Sequence, residues 1–399
     1  MTSTVQPLGT RLRAVTIALA LAIVVAAVVA APSLQAKDFK VLYSFDYYGE
    51  AGDSPFGGLI FDPAGNLYGT TTEGCGGGGT VFKLDKAAKL SVLYCFNYNN
   101  GSPMTDLTRD APGNLYGTAT AYVGSGPGSV FMVDRKGKGK ELYFFCSRNN
   151  SFCTDGAGPS GTLVLDAAGN LYGTTTSGGA RCHPNGCGVV YKLDKAGKET
   201  VLYSFKGGKD GASPAGLIWD AKGNLYGTTG GGGAHGYGTV FKLDKADKKT
   251  TLYSFTGTEG DGAGPLSGVI RDAEGNLYGI TSDGGAYGYG TAFKLDKTGK
   301  ETVLHSFAGS DGQYPWAGLV RDLKGNLYGT TLEGGAFGYG TVFKLDKTGK
   351  ETVLHTFSGG RRDGEYPYAV LVLDAKGNLY GTASGGGTRG GGVVFELTP

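Results

Sequence analysis

The chain has 399 residues, of which 75 are glycine, with 37 Lys+Arg, 35 Asp+Glu and 4 His. Glycine follows no three-residue period and apolar and aromatic residues recur on schedule, which excludes a collagen helix and a disordered low-complexity chain. The near balance of charge leaves no bulk positive field, so nucleic acid is not an expected partner.

Residues 1–36 read as a secretory signal. Arg11 and Arg13 precede an uncharged apolar run from Ala14 to Ala31, and Ser33-Leu34-Gln35-Ala36 supplies the small-residue end. An uncleaved anchor is the competing reading, because the run sits at the short edge of the ~17–25 residues that span a bilayer. Cleavage after Ala36 leaves 37–399 as one exported domain with no membrane span. The leader holds two of the basic residues and no acidic one, so that domain has equal numbers of each sign.

From there on, the tetrapeptide Asn-Leu-Tyr-Gly organises the chain. It begins at Asn66, Asn114, Asn170, Asn224, Asn276, Asn326 and Asn378. A period of roughly 50 residues with several short apolar runs in each is the mark of a repeat architecture. The fourth repeat shows four runs, here called strands A to D: 216–220, 224–229, 238–244 and 250–255. Asp220-x-x-Gly223 joins A to B, and Asp296-x-x-Gly299 joins C to D one repeat later. Aspartate can accept backbone N–H bonds and glycine can take positive φ, so both read as tight hairpin turns. The B–C and D–A connections are longer and varied. Alternation within the strands is weak, as expected for sheets buried on both faces.

A D-type run, Val41–Phe45, precedes any A strand, whereas the last repeat supplies A, B and C only. The expected fold is therefore all-β: a seven-bladed β-propeller of four-stranded blades, its ring closed by the N-terminal strand completing the last blade. An open β-solenoid is the alternative, but it would need polar caps.

Six cysteines in an exported chain favour disulfides. Cys182 and Cys187 flank one loop tip, Cys146 and Cys153 lie across one inter-blade loop, and Cys75 and Cys95 then pair by elimination. A zinc site at Cys182-His183-x3-Cys187 competes with the first pair, but it lacks a second ligand pair.

In this fold the B–C and D–A loops share one face of the disc. From blade 5 to blade 7 they gather Tyr287, Tyr289, Tyr314, Trp316, Phe337, Tyr339, Tyr366 and Tyr368, with Asp311 and Asp363 nearby. Flat aromatic rings beside carboxylates suit a carbohydrate or protein ligand. Packing of the blade tops competes, since Tyr237, Tyr289 and Tyr339 recur at one position. The Asp-Gly pairs of the D–A loops read as turn chemistry rather than calcium ligands, because each loop offers about one carboxylate. Strand A carries Arg109, Arg271 or Arg321 where other repeats have Phe61 or Trp219. These arginines either hold an anion or pair with the adjacent aspartate. No His-x-x-x-His, G-x-S-x-G or spaced carboxylate pair appears, so no catalytic residue, metal ligand set or cofactor is assigned.

The stretch 334–359, Gly-Gly-Ala-Phe-Gly-Tyr-Gly-Thr-Val-Phe-Lys-Leu-Asp-Lys-Thr-Gly-Lys-Glu-Thr-Val-Leu-His-Thr-Phe-Ser-Gly, resembles the tandem repeat of choice-of-anchor GloVer-containing proteins. The Asp-x-x-Gly-Asn-Leu-Tyr pattern also resembles blades of NHL-type propellers. The resemblance covers nearly all of 37–399 and implies export and repetition, but no reaction. The expected function is a secreted, monomeric, non-catalytic binding or scaffold propeller. The alternative is a propeller lyase or hydrolase acting on polysaccharide or a lactone at the channel mouth.

Overall fold

The structure is a computed structural model that describes residues 1–2, 38–97, 101–120, 127–146, 153–180, 182, 186–258 and 260–399. All but the first two residues of the expected leader, and His183, lie outside these. The compact unit Ser33–Pro399 carries all the described strands, and a single 3-10 turn, Gly208–Asp210, is the sole helical element among the described residues. No described helix is long and apolar enough to cross a membrane.

Seven four-stranded antiparallel sheets form the ring of a seven-bladed β-propeller. Blade 4 is the most regular: strand A is Ala212–Trp219, B Leu225–Gly231, C Thr239–Leu243 and D Lys249–Ser254, paired in that order. In the last blade A is Val372–Leu373, B Leu379–Ala383 and C Gly390–Thr398. Its D strand is Asp38–Asp46, which runs antiparallel to Gly390–Thr398 from Asp38 opposite Thr398 to Asp46 opposite Gly390. The two chain ends thus meet in one ladder, as the missing D strand of the last repeat requires.

The tetrapeptide recurs because it closes the A–B turn. In blade 4 the Asp220 carboxylate accepts the Asn224 backbone N–H at 2.9 Å, the Asn224 side-chain amide at 2.7 Å and the Tyr226 hydroxyl at 3.1 Å. Gly223 supplies the positive φ, 75°. The same box forms on Asp62, Asp110, Asp166, Asp272, Asp322 and Asp374. Leucine points into the core. Glycine leaves room for the aromatic ring of strand C: a Cβ on Gly329 would stand 2.6 Å from Phe343 Cζ.

The core lies between blades rather than within them. The phenylalanine that ends each D strand packs edge-to-face on the strand C ring of the next blade. Phe255 meets Phe293 at 5.0 Å and Phe307 meets Phe343 at 5.0 Å. Phe45 meets Phe82 at 5.3 Å, and Phe357 meets Phe395 at 5.4 Å. Each such ring is fully buried, so every seam buries two large apolar side chains, ~2–3 kcal/mol apiece.

Carboxylates at two positions give stability a pH dependence. Burial pushes the box aspartates up, but hydrogen bonds from the asparagine and tyrosine outweigh it and hold Asp220 at about 2, below its usual 3.8. Asp62, Asp110, Asp166, Asp272 and Asp322 are lowered by the same balance. Their contribution is complete above the unfolded value and is lost as pH falls through the folded one. Strand D of blades 5 and 6 instead opens on a glutamate facing the D–A loop of the preceding blade. Burial pushes each from 4.5 up to about 7; the Asp261 charge adds to it for Glu301, while for Glu351 nearby His305 opposes it and the Asp311 charge adds a smaller push. That contribution is present below the unfolded value and is lost as pH rises through about 7. The thermal midpoint should therefore peak near about pH 4–4.5 and fall on both sides. Glu351→Gln should flatten the alkaline limb only. Unfolding scans across pH check both, and a midpoint still rising toward neutrality would overturn the assignment.

Candidate functional site

Each D–A loop ends in a proline that leads strand A down the central channel. The proline is seated on the blade before it: a Cβ on Gly290 would stand 2.7 Å from Pro315 Cδ, and one on Gly340 2.8 Å from Pro367 Cδ. In blades 5, 6, 7, 1 and 2 the residue after the proline, Leu266, Trp316, Tyr368, Phe56 and Met104, lines the channel cavity. Blades 3 and 4 have the smaller Ser160 and Ala215 at that position. The first five make a crescent of large apolar side chains. Tyr368 lies 4.5 Å from Phe56 and 5.5 Å from Trp316 between ring centroids. Trp316, Leu266 and Met104 stay 41–45% exposed.

The other side of the ring is closed by backbone. Gly161 and Gly216 take φ of 71° and 45°. A Cβ on Gly161 would stand 2.5 Å from Gly216 N, and one on Gly216 2.6 Å from Gly268 N. Blade 4 also has one residue fewer between Pro214 and Asp220 than blade 5 has between Pro265 and Asp272. Strands A of blades 3, 4 and 5 thus touch main chain to main chain, and the cavity is lopsided toward the aromatic crescent. Its volume is about 450 Å³.

The cavity wall is mostly glycine and aliphatic side chain, with one charge. Asp106 stands where blades 1, 5 and 6 have Gly58, Gly268 and Gly318. Its Oδ1 accepts the Gly58 N–H at 2.6 Å and its Oδ2 the Thr162 hydroxyl at 2.7 Å, so it ties blades 1, 2 and 3 at the channel wall.

The ten residues singled out from the sequence fall into separate places. Trp316 and Tyr368 belong to the channel crescent. Tyr289 and Tyr314 pair edge-to-face at 6.2 Å, and Tyr339 and Tyr366 at 5.7 Å, each pair joining the B–C loop of one blade to the D–A loop of the next. Tyr314 and Tyr366 hold left-handed backbone, φ 55° and 57°, where blade 5 has Gly264. Tyr287 and Phe337 project at B–C loop tips, 62% and 60% exposed. Asp311 and Asp363 face neither group of rings. They accept from His305 at 2.9 Å and His355 at 3.0 Å, histidines of strand D, and from backbone N–H of their own loops. Tyr143, Tyr203 and Tyr253 hold Asp155, Asp210 and Asp261 in the same way. Burial pushes Asp311 and Asp363 up, and the histidine and backbone bonds bring both below the usual carboxylate range. The Asp-Gly pairs are thus turn pillars, as their sequence context indicates.

The strand A arginines sit over tyrosine rings of the preceding blade: Arg271 over Tyr226 at 5.9 Å and Arg321 over Tyr278 at 6.0 Å. Trp219 covers Tyr172 from the same position, edge-to-face at 4.7 Å. The cysteines pair as Cys75–Cys95, Cys146–Cys153 and Cys182–Cys187. Among the described residues no cluster of three or more His, Cys, Asp or Glu side chains could hold a metal ion. Phe56, Met104, Leu266 and Asp106 escaped the sequence reading. The position after the proline, compared across all seven repeats, carries the signal for the first three.

Comparison with known proteins adds a family and a fold. The profile of a family described as Gloeobacter/Verrucomicrobia repeat matches residues 139–271 and 251–399. No curated protein matches the sequence. Among solved structures, the extracellular domain assigned to a hybrid two-component system of B. thetaiotaomicron aligns with TM-score 0.55 at 11% identity, over 89% of this chain and 39% of that one. A gluconolactonase from Xanthomonas campestris aligns with TM-score 0.47 at 13% identity, over 92% and 91%. At such identities the likeness speaks to the fold alone.

Proposed function

The chain belongs to the Gloeobacter/Verrucomicrobia repeat family, and from that premise we propose that it is an exported, non-catalytic binding propeller that takes carbohydrate at the channel mouth. The observation that carries the reading is the crescent of Phe56, Trp316 and Tyr368 above an open cavity of about 450 Å³. Cavities of ~300–1,000 Å³ with apolar walls and few polar groups are typical ligand sites. Aromatic rings at the rim offer flat apolar faces to a sugar ring. Export is supported by the leader and by three disulfides in place of free thiols.

A glycan array probed with the full chain tests the reading. Selective binding is expected, weakened at least ~10-fold in a Trp316→Ala/Tyr368→Ala variant if each ring contributes about 1 kcal/mol. No binding, or binding that the double substitution leaves intact, would return the crescent to packing.

A further inference from the structure

We infer that the channel mouth selects a sugar bearing a free ammonium group, an amino sugar of a de-N-acetylated glycan, and that Asp106 is the residue that reads it. The inference rests on the carbohydrate reading above and adds a charge requirement to it.

Asp106 carries the sole charge among the described residues that line the cavity. It forms no salt bridge among the described residues. Its two oxygens are held by one neutral donor each, the Gly58 N–H and the Thr162 hydroxyl. A carboxylate offers about four acceptor sites, so each oxygen keeps one for a ligand. The two donors come from the blades on either side, which fixes the carboxylate rather than leaving it to swing into solvent. Five of the other six blades place glycine or an apolar residue at the same position and the sixth places Thr162, so among the described residues no second charge at that level faces the cavity. A cation entering an apolar cavity feels that charge more strongly than it would in water.

The rim agrees with a cation. Aromatic rings and a thioether line the way in, and the face of Trp or Tyr attracts an ammonium group. Asp106 follows Met104 by two residues, across a bend that precedes strand A of blade 2, Thr108–Arg109, and lines the same cavity as Trp316 and Tyr368. A pyranose resting on Trp316 and Tyr368 within that cavity can present a ring substituent to the carboxylate. An ammonium there donates to the free acceptor sites. A hydroxyl gains less, and an acetamide brings bulk and no charge.

The test compares β-1,4-linked hexamers of glucosamine, N-acetylglucosamine and glucose, which differ only at C2. Calorimetric titrations use the full chain at a pH where the amine is protonated, at low and high salt. The glucosamine hexamer should bind at least ~10-fold tighter than the other two, with the advantage shrinking as salt rises. Asp106→Asn keeps both contacts, since its carbonyl can accept the Gly58 N–H and its amide can donate to Thr162. It should preserve the unfolding midpoint and bring the three hexamers within about two-fold of one another. Trp316→Ala should weaken all three. Equal binding of the three hexamers, indifferent to Asp106→Asn, overturns the ammonium inference and leaves the carbohydrate reading standing. Binding of none overturns both. Binding of hexalysine with the same Asp106 dependence, but of no hexamer, overturns the assignment to an amino sugar.

Discussion

A chain lacking residues 38–46 should fail to stay a monomeric ring. Those nine residues are the outer strand of the last blade, and their removal strips the full length of Gly390–Thr398 of its partner. It also removes Phe45, fully buried against Phe82 across the seam into blade 1, and Phe39, stacked on His355 at 3.7 Å. Phe45→Ala alone should cost about 3–5 kcal/mol as a cavity in a closed core. The truncation loses more than that and bares a nine-residue strand edge that templates pairing with another chain. Light scattering after size exclusion should show association or aggregation of the truncated chain, and denaturant unfolding should show a lowered midpoint for Phe45→Ala. A synthetic peptide of residues 38–46 added in trans should restore the monomer. A truncated chain that remains monomeric with an unchanged midpoint would refute closure by this strand.

Gly329→Ala should destabilise the protein by about 1–3 kcal/mol through overpacking alone. Gly329 has no left-handed backbone to lose. Its added methyl would stand 2.6 Å from Phe343 Cζ and 3.1 Å from Leu319 Cδ2. Phe343 is wedged between blades by Phe307 and has nowhere to retreat. Gly338→Ala provides the control of opposite kind: its methyl meets nothing within 4 Å, but φ is 83°. Its cost is pure backbone strain, ~1–2 kcal/mol, with no disturbance of the ring stack. The near-ultraviolet circular dichroism of the aromatic seams should change for Gly329→Ala and stay unchanged for Gly338→Ala. Equal stability of Gly329→Ala and the parent would show that the tetrapeptide glycine is dispensable.

The blade plan was legible because each letter of Asn-Leu-Tyr-Gly has a local job that recurs at a fixed spacing. Asparagine and tyrosine close the box on Asp220 and its six counterparts, leucine faces the core, and glycine admits the strand C ring. Ring closure was legible because strand types can be matched in order. The site was legible only in part, because spacing reports which loop a residue occupies but not its distance from the axis. Trp316 and Tyr314 are two residues apart, yet one reaches the channel and the other turns outward onto Tyr289. The proline between them, preceded by left-handed backbone, makes that division. Asp311 and Asp363 looked available because their partners, His305 and His355, lie on a different element. Asp106 was hidden for the opposite reason: it departs from the glycine of its counterparts in one blade, and a single repeat cannot reveal a ring.

The pairing of Asp38 with Thr398 has a mechanical corollary. Both ends of the chain segment that forms the ring leave from the same end of one antiparallel ladder. A load pulling them apart opens that ladder one rung after another, beginning at the outermost pair, instead of shearing all its bonds together. The disc would yield to such a pull at its last blade first.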